Sequence, residues 1–203
     1  RYIGNVSSGK QGYAIAKAAR NRGAEVVLIS ANVNIPSLSG VRTINVESAA
    51  QMQIEMNKEF SQCDVLFMAA AVADAKPTAH NSEKIKKSEL KQIQLEANPD
   101  LLASVAKSAK PSQILVGFAA ETGAVDIEAA RVKMKAKGVQ LLFLNNVSNG
   151  AIFGSDKTSG ALLGANGDVI DCAEQDKDTL ADLLLDQARI KLGESNDKKI
   201  IHF

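Results

Sequence analysis

Val65-Leu66-Phe67-Met68-Ala69-Ala70-Ala71-Val72-Ala73, closed by Asp74, is the most apolar stretch of the chain. Apolar side chains at both odd and even positions are the mark of a strand covered on both faces, as in a parallel sheet held between helices. We expect a central strand here that runs out into a loop of small residues, with Asp74 at its outlet. On either side, short apolar runs alternate with longer stretches of helical periodicity, which is the pattern of a βαβ series. Upstream, Glu25–Ser30 and Thr43–Val46 read as strands. A first helix is expected over Gly9–Arg22, with Ser8 as its N-cap and Gly23 as its stop. A second covers Ala49–Phe60, where Met52, Met56 and Phe60 recur every fourth residue.

Downstream, Ala75–Asn98 reads as a long loop or flap with edge strands, punctuated by Pro77 and rich in lysine. Helix (Asp100–Lys107), strand (Ile114–Ala119), helix (Asp126–Lys137) and strand (Leu141–Leu144) add two βα units. Ala161–Leu163 and Val169–Ile170 flank Gly164-Ala165-Asn166-Gly167, a hairpin signal. Lys177–Lys191 is an amphipathic helix expected to turn Leu180, Leu183, Leu184 and Ile190 inward. The reading is α/β, with one domain over residues 1–192 and a polar tail over 193–203.

The balance of charge removes several functions. Lys and Arg number 24 against 23 Asp and Glu, so no basic field marks a nucleic-acid partner, and any anionic ligand must be held by a local cluster. With no Trp and few aromatic residues, a stacking platform for single strands is not expected. Cys63 and Cys172 form neither a disulfide framework nor a zinc set, and two histidines, His80 and His202, leave little material for a His-based triad. No apolar run reaches the roughly 18 residues of a spanning helix. A cytoplasmic protein without membrane association is expected. A chain that opens on Arg1 without a methionine is expected to be a piece of a longer one.

Four segments carry chemistry. Gly4-Asn5-Val6-Ser7-Ser8-Gly9-Lys10-Gln11 nearly matches a phosphate-binding loop leading into a helix, whose free N–H groups favour anions. Gln11 stands where the metal-binding hydroxyl of that loop belongs, so P-loop chemistry is disfavoured while anion binding is not. The alanine run ending in Asp74 lets a ring or sugar approach the backbone, at the strand end where open α/β sheets bind ligands. Asp74 can take ligand hydrogen bonds there, or merely cap a turn. Lys84-Ile85-Lys86-Lys87 is either a solvated face or a flap that closes over phosphates. Lys133 and Lys137, four apart on one helical face, follow Gly117-Phe118-Ala119-Ala120-Glu121-Thr122, in which Phe118 can wall a base.

Together with Arg1-Tyr2-Ile3 ahead of the first segment, Asn98-Pro99-Asp100, and Asn145-Asn146-Val147-Ser148, these strings resemble, in order, bacterial phosphopantothenoylcysteine synthetase. The resemblance implies a Rossmann-like fold: a mainly parallel sheet with helices on both faces, plus a C-terminal β-hairpin and helix. It implies a ligase in which CTP with Mg²⁺ activates the carboxylate of 4′-phosphopantothenate as an acyl-cytidylate, and L-cysteine then forms the amide. No flavin belongs to this domain. It places Asn5 and Lys84 in catalysis, and nucleotide contacts at Met68, Ala69, Ala70, Asp74, Lys84, Pro99, Asp100, Leu101, Leu102, Phe118, Lys133 and Lys137. The acid substrate would meet Asn5, Ser7, Ser8, Gly9 and Lys10, and the metal ligands stay unassigned. A homodimer and a fused or separate phosphopantothenoylcysteine decarboxylase are the expected partners. Relatives carry a further strand before the segment that opens here at Arg1. Two other readings stay open, an NAD(P)-dependent oxidoreductase on the same fold pattern and a noncatalytic nucleotide-binding module.

Overall fold

The structure is a computed structural model that describes residues 4–5, 7–79, 92–121, 126–147 and 154–195. The elements run α1 (Lys10–Asn21), β1 (Val27–Ala31), β2 (Arg42–Val46), α2 (Ala49–Phe60), β3 (Val65–Met68), β4 (Ala75–Pro77) and β5 (Leu95–Ala97). They continue with α3 (Leu101–Ala106), β6 (Ile114–Glu121), α4 (Ile127–Lys137), β7 (Leu141–Asn146), β8 (Lys157–Gly164), β9 (Val169–Asp176) and α5 (Lys177–Ser195).

The main sheet has the order β3-β6-β7-β8-β9. β3, β6 and β7 are mutually parallel, and β8 and β9 join antiparallel. β1 and β2 pair in parallel as a separate two-stranded sheet. The antiparallel ribbon of β4 and β5 supplies the edge strands expected around Ala75–Asn98.

Side chains on successive residues of β6 and β7 point to opposite faces. Leu115, Leu142 and Leu144 pack with α2, α3 and α4. Ile114, Val116, Leu141 and Phe143 pack with α1 and α5. Helices therefore cover both faces, and this explains the unbroken apolar runs of these strands. The expectation that Val65–Ala73 lies at the sheet's centre is corrected. Among the described residues β3 is an edge strand of the main sheet and only half-buried, while Leu115 and Leu144 reach 0% exposure at the centre. Apolar composition alone does not separate these cases, because the loop of alanines that makes the stretch so apolar serves a cleft and not the core.

The helix starts follow local chemistry. Ser48 caps α2 through the Gln51 N–H, and the Gln51 side chain answers to the Ser48 N–H, a reciprocal capping box. Asp100 and Asp126 cap α3 and α4. At α1 the expected Ser8 cap is displaced by one residue. Gly9 occupies the N-cap with φ of 74°, a left-handed conformation that favours glycine. A Cβ there would lie 2.6 Å from a methyl of Val33.

On α5, Leu180 and Leu184 are fully buried and Leu183 is half-buried. Ile190, expected to face inward, is 47% exposed, and Ala181, Leu185, Ala188 and Leu192 complete the buried face instead. α5 also includes residues 193–195, which the polar tail was expected to contain. Among the described residues no helix is long and apolar enough to cross a membrane.

Candidate active site

A cleft of about 480 Å³ opens at the carboxyl ends of β3, β6 and β7, where the N-termini of α1 and α3 converge. Parallel strands deliver their following loops to this edge, so an open α/β sheet gathers its ligands there. Asn5, Ser7, Ser8, Gly9 and Lys10 line it from the α1 side, and Met68, Ala69, Ala70 and Asp74 from the loop after β3. Pro99, Asp100, Leu101 and Leu102 line it from the start of α3, Phe118 from β6 and Lys137 from α4.

The alanine loop is fixed by its neighbours. The Asn5 Nδ2 donates to the Val72 carbonyl at 3.2 Å. The Asn98 Nδ2 donates to the Ala73 carbonyl and its backbone N–H to the Asp74 carbonyl, each at 2.8 Å. Asn98 thereby holds both residues of the turn that presents Asp74. Phe118 packs edge-on against the buried Phe143, with ring centroids 6.0 Å apart, so its ring is a fixed wall.

The cations of the cleft are engaged. Lys137 Nζ meets Asp100 Oδ2 at 2.7 Å, while the other oxygen of Asp100 accepts the Ala103 N–H. Burial opposes the charge of Asp100, but the Ala103 N–H and the Lys137 ammonium outweigh it and hold the carboxyl below its ordinary range. Lys10 Nζ meets Asp156 Oδ1 at 2.7 Å and the Gly154 carbonyl at 2.6 Å. This pairing lowers the Asp156 carboxyl, chiefly through the hydrogen bond from Lys10.

Lys133 departs from the reading given to it. It does not line the cleft, and its Nζ pairs with Glu121, the last residue of β6, at 2.6 Å. The two lysines share a helical face but lie a turn apart along it, and of the two only Lys137 lines the cleft. Lys84 and the rest of Lys84-Ile85-Lys86-Lys87 lie outside the described residues.

The cleft also contains residues to which the sequence assigned no role. Asn98 and Asn145 stand inside strings already singled out, so their presence was legible as pattern but not as geometry. Thr158 Oγ1 donates to Asn145 Oδ1 at 3.0 Å and is 3% exposed. Lys177, the first residue of α5, and Gln11 also line the cleft, and the Gln11 side chain donates to the Lys177 carbonyl at 3.2 Å. Nothing in the local sequence marks Thr158 or Lys177, because β8 and α5 reach this edge only through the antiparallel return.

The residues can be tested against a divalent cation. Among the described residues no group of three or more His, Cys, Asp or Glu side chains is placed to hold a metal. Asp100 is committed to Lys137 and to its helix cap, which leaves Asp74 as the exposed acid of the cleft without an ion pair among the described residues. A single carboxylate does not make a resident cage. It does fit Mg²⁺ that arrives with a polyphosphate and takes most of its oxygens from phosphate and water.

Comparison with known proteins gives a consistent set. The family described as DNA/pantothenate metabolism flavoprotein C-terminal domain matches residues 1–191. The Coenzyme A biosynthesis bifunctional protein CoaBC of Mycobacterium bovis is 42% identical over 178 residues, covering 82% of this chain and 43% of that protein. The CoaBC of Escherichia coli strain K12 is 38% identical over 201 residues, covering 97% of this chain and 49% of that protein. The chain thus spans about half the length of the curated relatives it matches. The crystal structure of the C-terminal domain of CoaBC superposes with a TM-score of 0.80 at 31% identity, over 96% of this chain and 88% of that one. A Cab2 mutant in complex with phosphopantothenate-cysteine shares the fold, with a TM-score of 0.73 at 13% identity over 96% of this chain and 82% of that one.

Proposed function

Since the chain belongs to the DNA/pantothenate metabolism flavoprotein C-terminal domain family, we propose that it is a phosphopantothenate–cysteine ligase driven by CTP. The observation that carries this reading is the cleft itself. It brings Asn5, the loop from Met68 to Asp74, the start of α3, Phe118 and Lys137 into one cavity from separate parts of the chain.

A carboxylate is a poor electrophile, because its charge repels nucleophiles and oxide is a hopeless leaving group. In the first step a carboxylate oxygen of 4′-phosphopantothenate attacks the α-phosphorus of CTP. The new C–O–P linkage forms as the bond to the β-phosphate breaks, and pyrophosphate leaves. In the second step the amine of L-cysteine attacks the acyl carbon, loses a proton, and expels CMP. Splitting one hard displacement into two easier ones is the gain of a covalent intermediate.

The chain's own groups suit these steps. Small side chains at Ala69, Ala70 and Ala71 let the nucleotide lie against the backbone, and the fixed ring of Phe118 walls the base. An anion attacking a polyphosphate needs cations beside the charge that develops. Lys137 supplies one at the mouth of α3, and the resemblance adds Lys84. Mg²⁺ would be held by Asp74 and would neutralise phosphate charge when bound. Asn5, anchored through its Nδ2 to Val72, keeps its Oδ1 available toward the acyl intermediate. A homodimer, a cytoplasmic setting and a decarboxylase partner belong to the same proposal.

The experiment is product formation. Incubation with CTP, Mg²⁺, 4′-phosphopantothenate and L-cysteine is expected to yield the phosphopantothenoyl-cysteine amide by mass spectrometry. A hydride transfer to or from a nicotinamide cofactor, with no amide formed, would overturn the reading.

A further inference from the structure

Thr158 and Asn145 meet where β8 and β7 reach the cleft, and both line it. Thr158 is buried, so its hydroxyl must find a partner within the protein. It donates to Asn145 Oδ1 at 3.0 Å. The register of the two strands explains the contact. Asn145 stands opposite Gly160, which makes Thr158, two residues earlier on β8, its diagonal neighbour. Gly160 has no side chain to stand between them. Alternation along β7 puts Asn145 on the face of Leu141 and Phe143, the one that α1 and α5 cover.

The bond fixes the polarity of an amide. An asparagine side chain has an acceptor end and a donor end, and a half turn exchanges them. With Oδ1 held by the buried hydroxyl, Nδ2 is the end left for the cleft, and among the described residues it makes no hydrogen bond. Asn5 is locked the other way round, with its Nδ2 spent on the Val72 carbonyl. The cleft thus carries two amides of opposite set, an acceptor on the α1 side and a donor at the end of β7.

Such a donor brings direction and no charge. The lysines of the cleft suit anions, whereas a neutral donor of fixed polarity suits an oxygen that can only accept. Under the ligase reading the acid substrate has two uncharged polar oxygens, a free hydroxyl and the carbonyl of its internal amide. The hydroxyl can turn to donate or to accept, and the carbonyl only accepts.

We propose that Asn145 Nδ2 donates to the internal amide carbonyl of 4′-phosphopantothenate and selects for it, with Thr158 as the positioning residue that sets the polarity of Asn145. The identity of the substrate rests on the ligase reading. A site built around such a bond rejects an analogue without the oxygen, because the donor is then left unpaired. Two analogues isolate that oxygen. An ester in place of the internal amide keeps the carbonyl, a trans-alkene removes it, and both lack the N–H. In calorimetric titration the wild type should bind the ester at least about tenfold more tightly than the alkene, and Asn145→Ala should bind the two within about twofold. Thr158→Val, which keeps the shape of the side chain without its hydroxyl, should lose most of the discrimination, and Thr158→Ser should keep it. The affinity for CTP should change less than about twofold in all three variants, since the lost bond is to the other substrate. An undiminished ratio in Asn145→Ala or Thr158→Val, or equal binding of ester and alkene by the wild type, would overturn the assignment while leaving the ligase reading standing. A wild type that does not bind 4′-phosphopantothenate at all would overturn both.

Discussion

The ammonium of Lys137 stands 2.7 Å from Oδ2 of Asp100, whose other oxygen accepts the Ala103 N–H at 3.0 Å. One carboxylate thus caps α3 and also ties the last turn of α4 to the mouth of the cleft. Asp100→Ala is expected to lose about 1 kcal/mol through the cap, with at most a comparable term from an ion pair this exposed. Asp100→Asn keeps a capping side chain and should lose clearly less. Urea unfolding of the two variants side by side measures the difference.

The same carboxylate predicts a pH dependence. Its folded pKa lies below the ordinary value of 3.8, so its contribution to stability is fully present above that value. The contribution is lost as pH falls through the lowered folded value. Between pH 6 and pH 3 the stability difference between wild type and Asp100→Asn should therefore shrink, and thermal melts across that range read it directly.

Asn5→Asp should keep the fold and cut ligation by at least about a hundredfold, near 3 kcal/mol in barrier. The Asn5 amide donates to the Val72 carbonyl, and a carboxylate in its place would set oxygen against oxygen and add an anion beside an anionic substrate. Turnover like that of the wild type would remove Asn5 from the chemistry.

Gly160 sits at the irregularity in the β8–β9 pairing and opposite Asn145 of β7, and a Cβ there would lie 1.9 Å from the Leu144 carbonyl oxygen. Backbone cannot yield as a flexible side chain can, so Gly160→Ala should destabilise by more than about 3 kcal/mol or prevent folding. Gly193, exposed on α5 with no atom within 4 Å of a built Cβ, is the contrast. Gly193→Ala should raise the melting temperature slightly, by the ~1 kcal/mol that separates the two residues in a helix.

Gln113 is 5% exposed and its Nε2 donates to the carbonyls of Phe60 and Cys63, each at 2.7 Å. It closes the end of α2 onto the start of β6. Gln113→Leu removes this donor from two acceptors and should cost about 1–3 kcal/mol, measurable as a shift in the urea midpoint.

Much of this architecture is legible in the sequence because it is local. Met52, Met56 and Phe60 define the buried face of α2, and its observed bounds are those their spacing predicts. Gly164-Ala165-Asn166-Gly167 turns the hairpin, with Gly167 at φ of 99°. What escapes a linear reading depends on distance along the chain. The edge position of β3 is decided by which strands pair, and that is not a property of its own residues. Ile190 is turned outward because the buried face of α5 runs through Ala181, Leu185 and Ala188. Lys133 is drawn to Glu121, and Lys177 enters the cleft from the far side of the sheet. The candidate site divides the same way. The alanine run ending in Asp74 is read from composition and Met68 and the start of α3 from the resemblance, whereas the pairing of Lys10 with Asp156 joins residues 146 positions apart.

The most direct test of the central claim is pyrophosphate release in an omission series: CTP or ATP, with or without 4′-phosphopantothenate, with or without L-cysteine. The ligase reading predicts release with CTP and 4′-phosphopantothenate together, no release when 4′-phosphopantothenate is omitted, slower release with ATP, and sustained turnover once L-cysteine is present. Pyrophosphate release that does not depend on 4′-phosphopantothenate, or none with all substrates present, would contradict it.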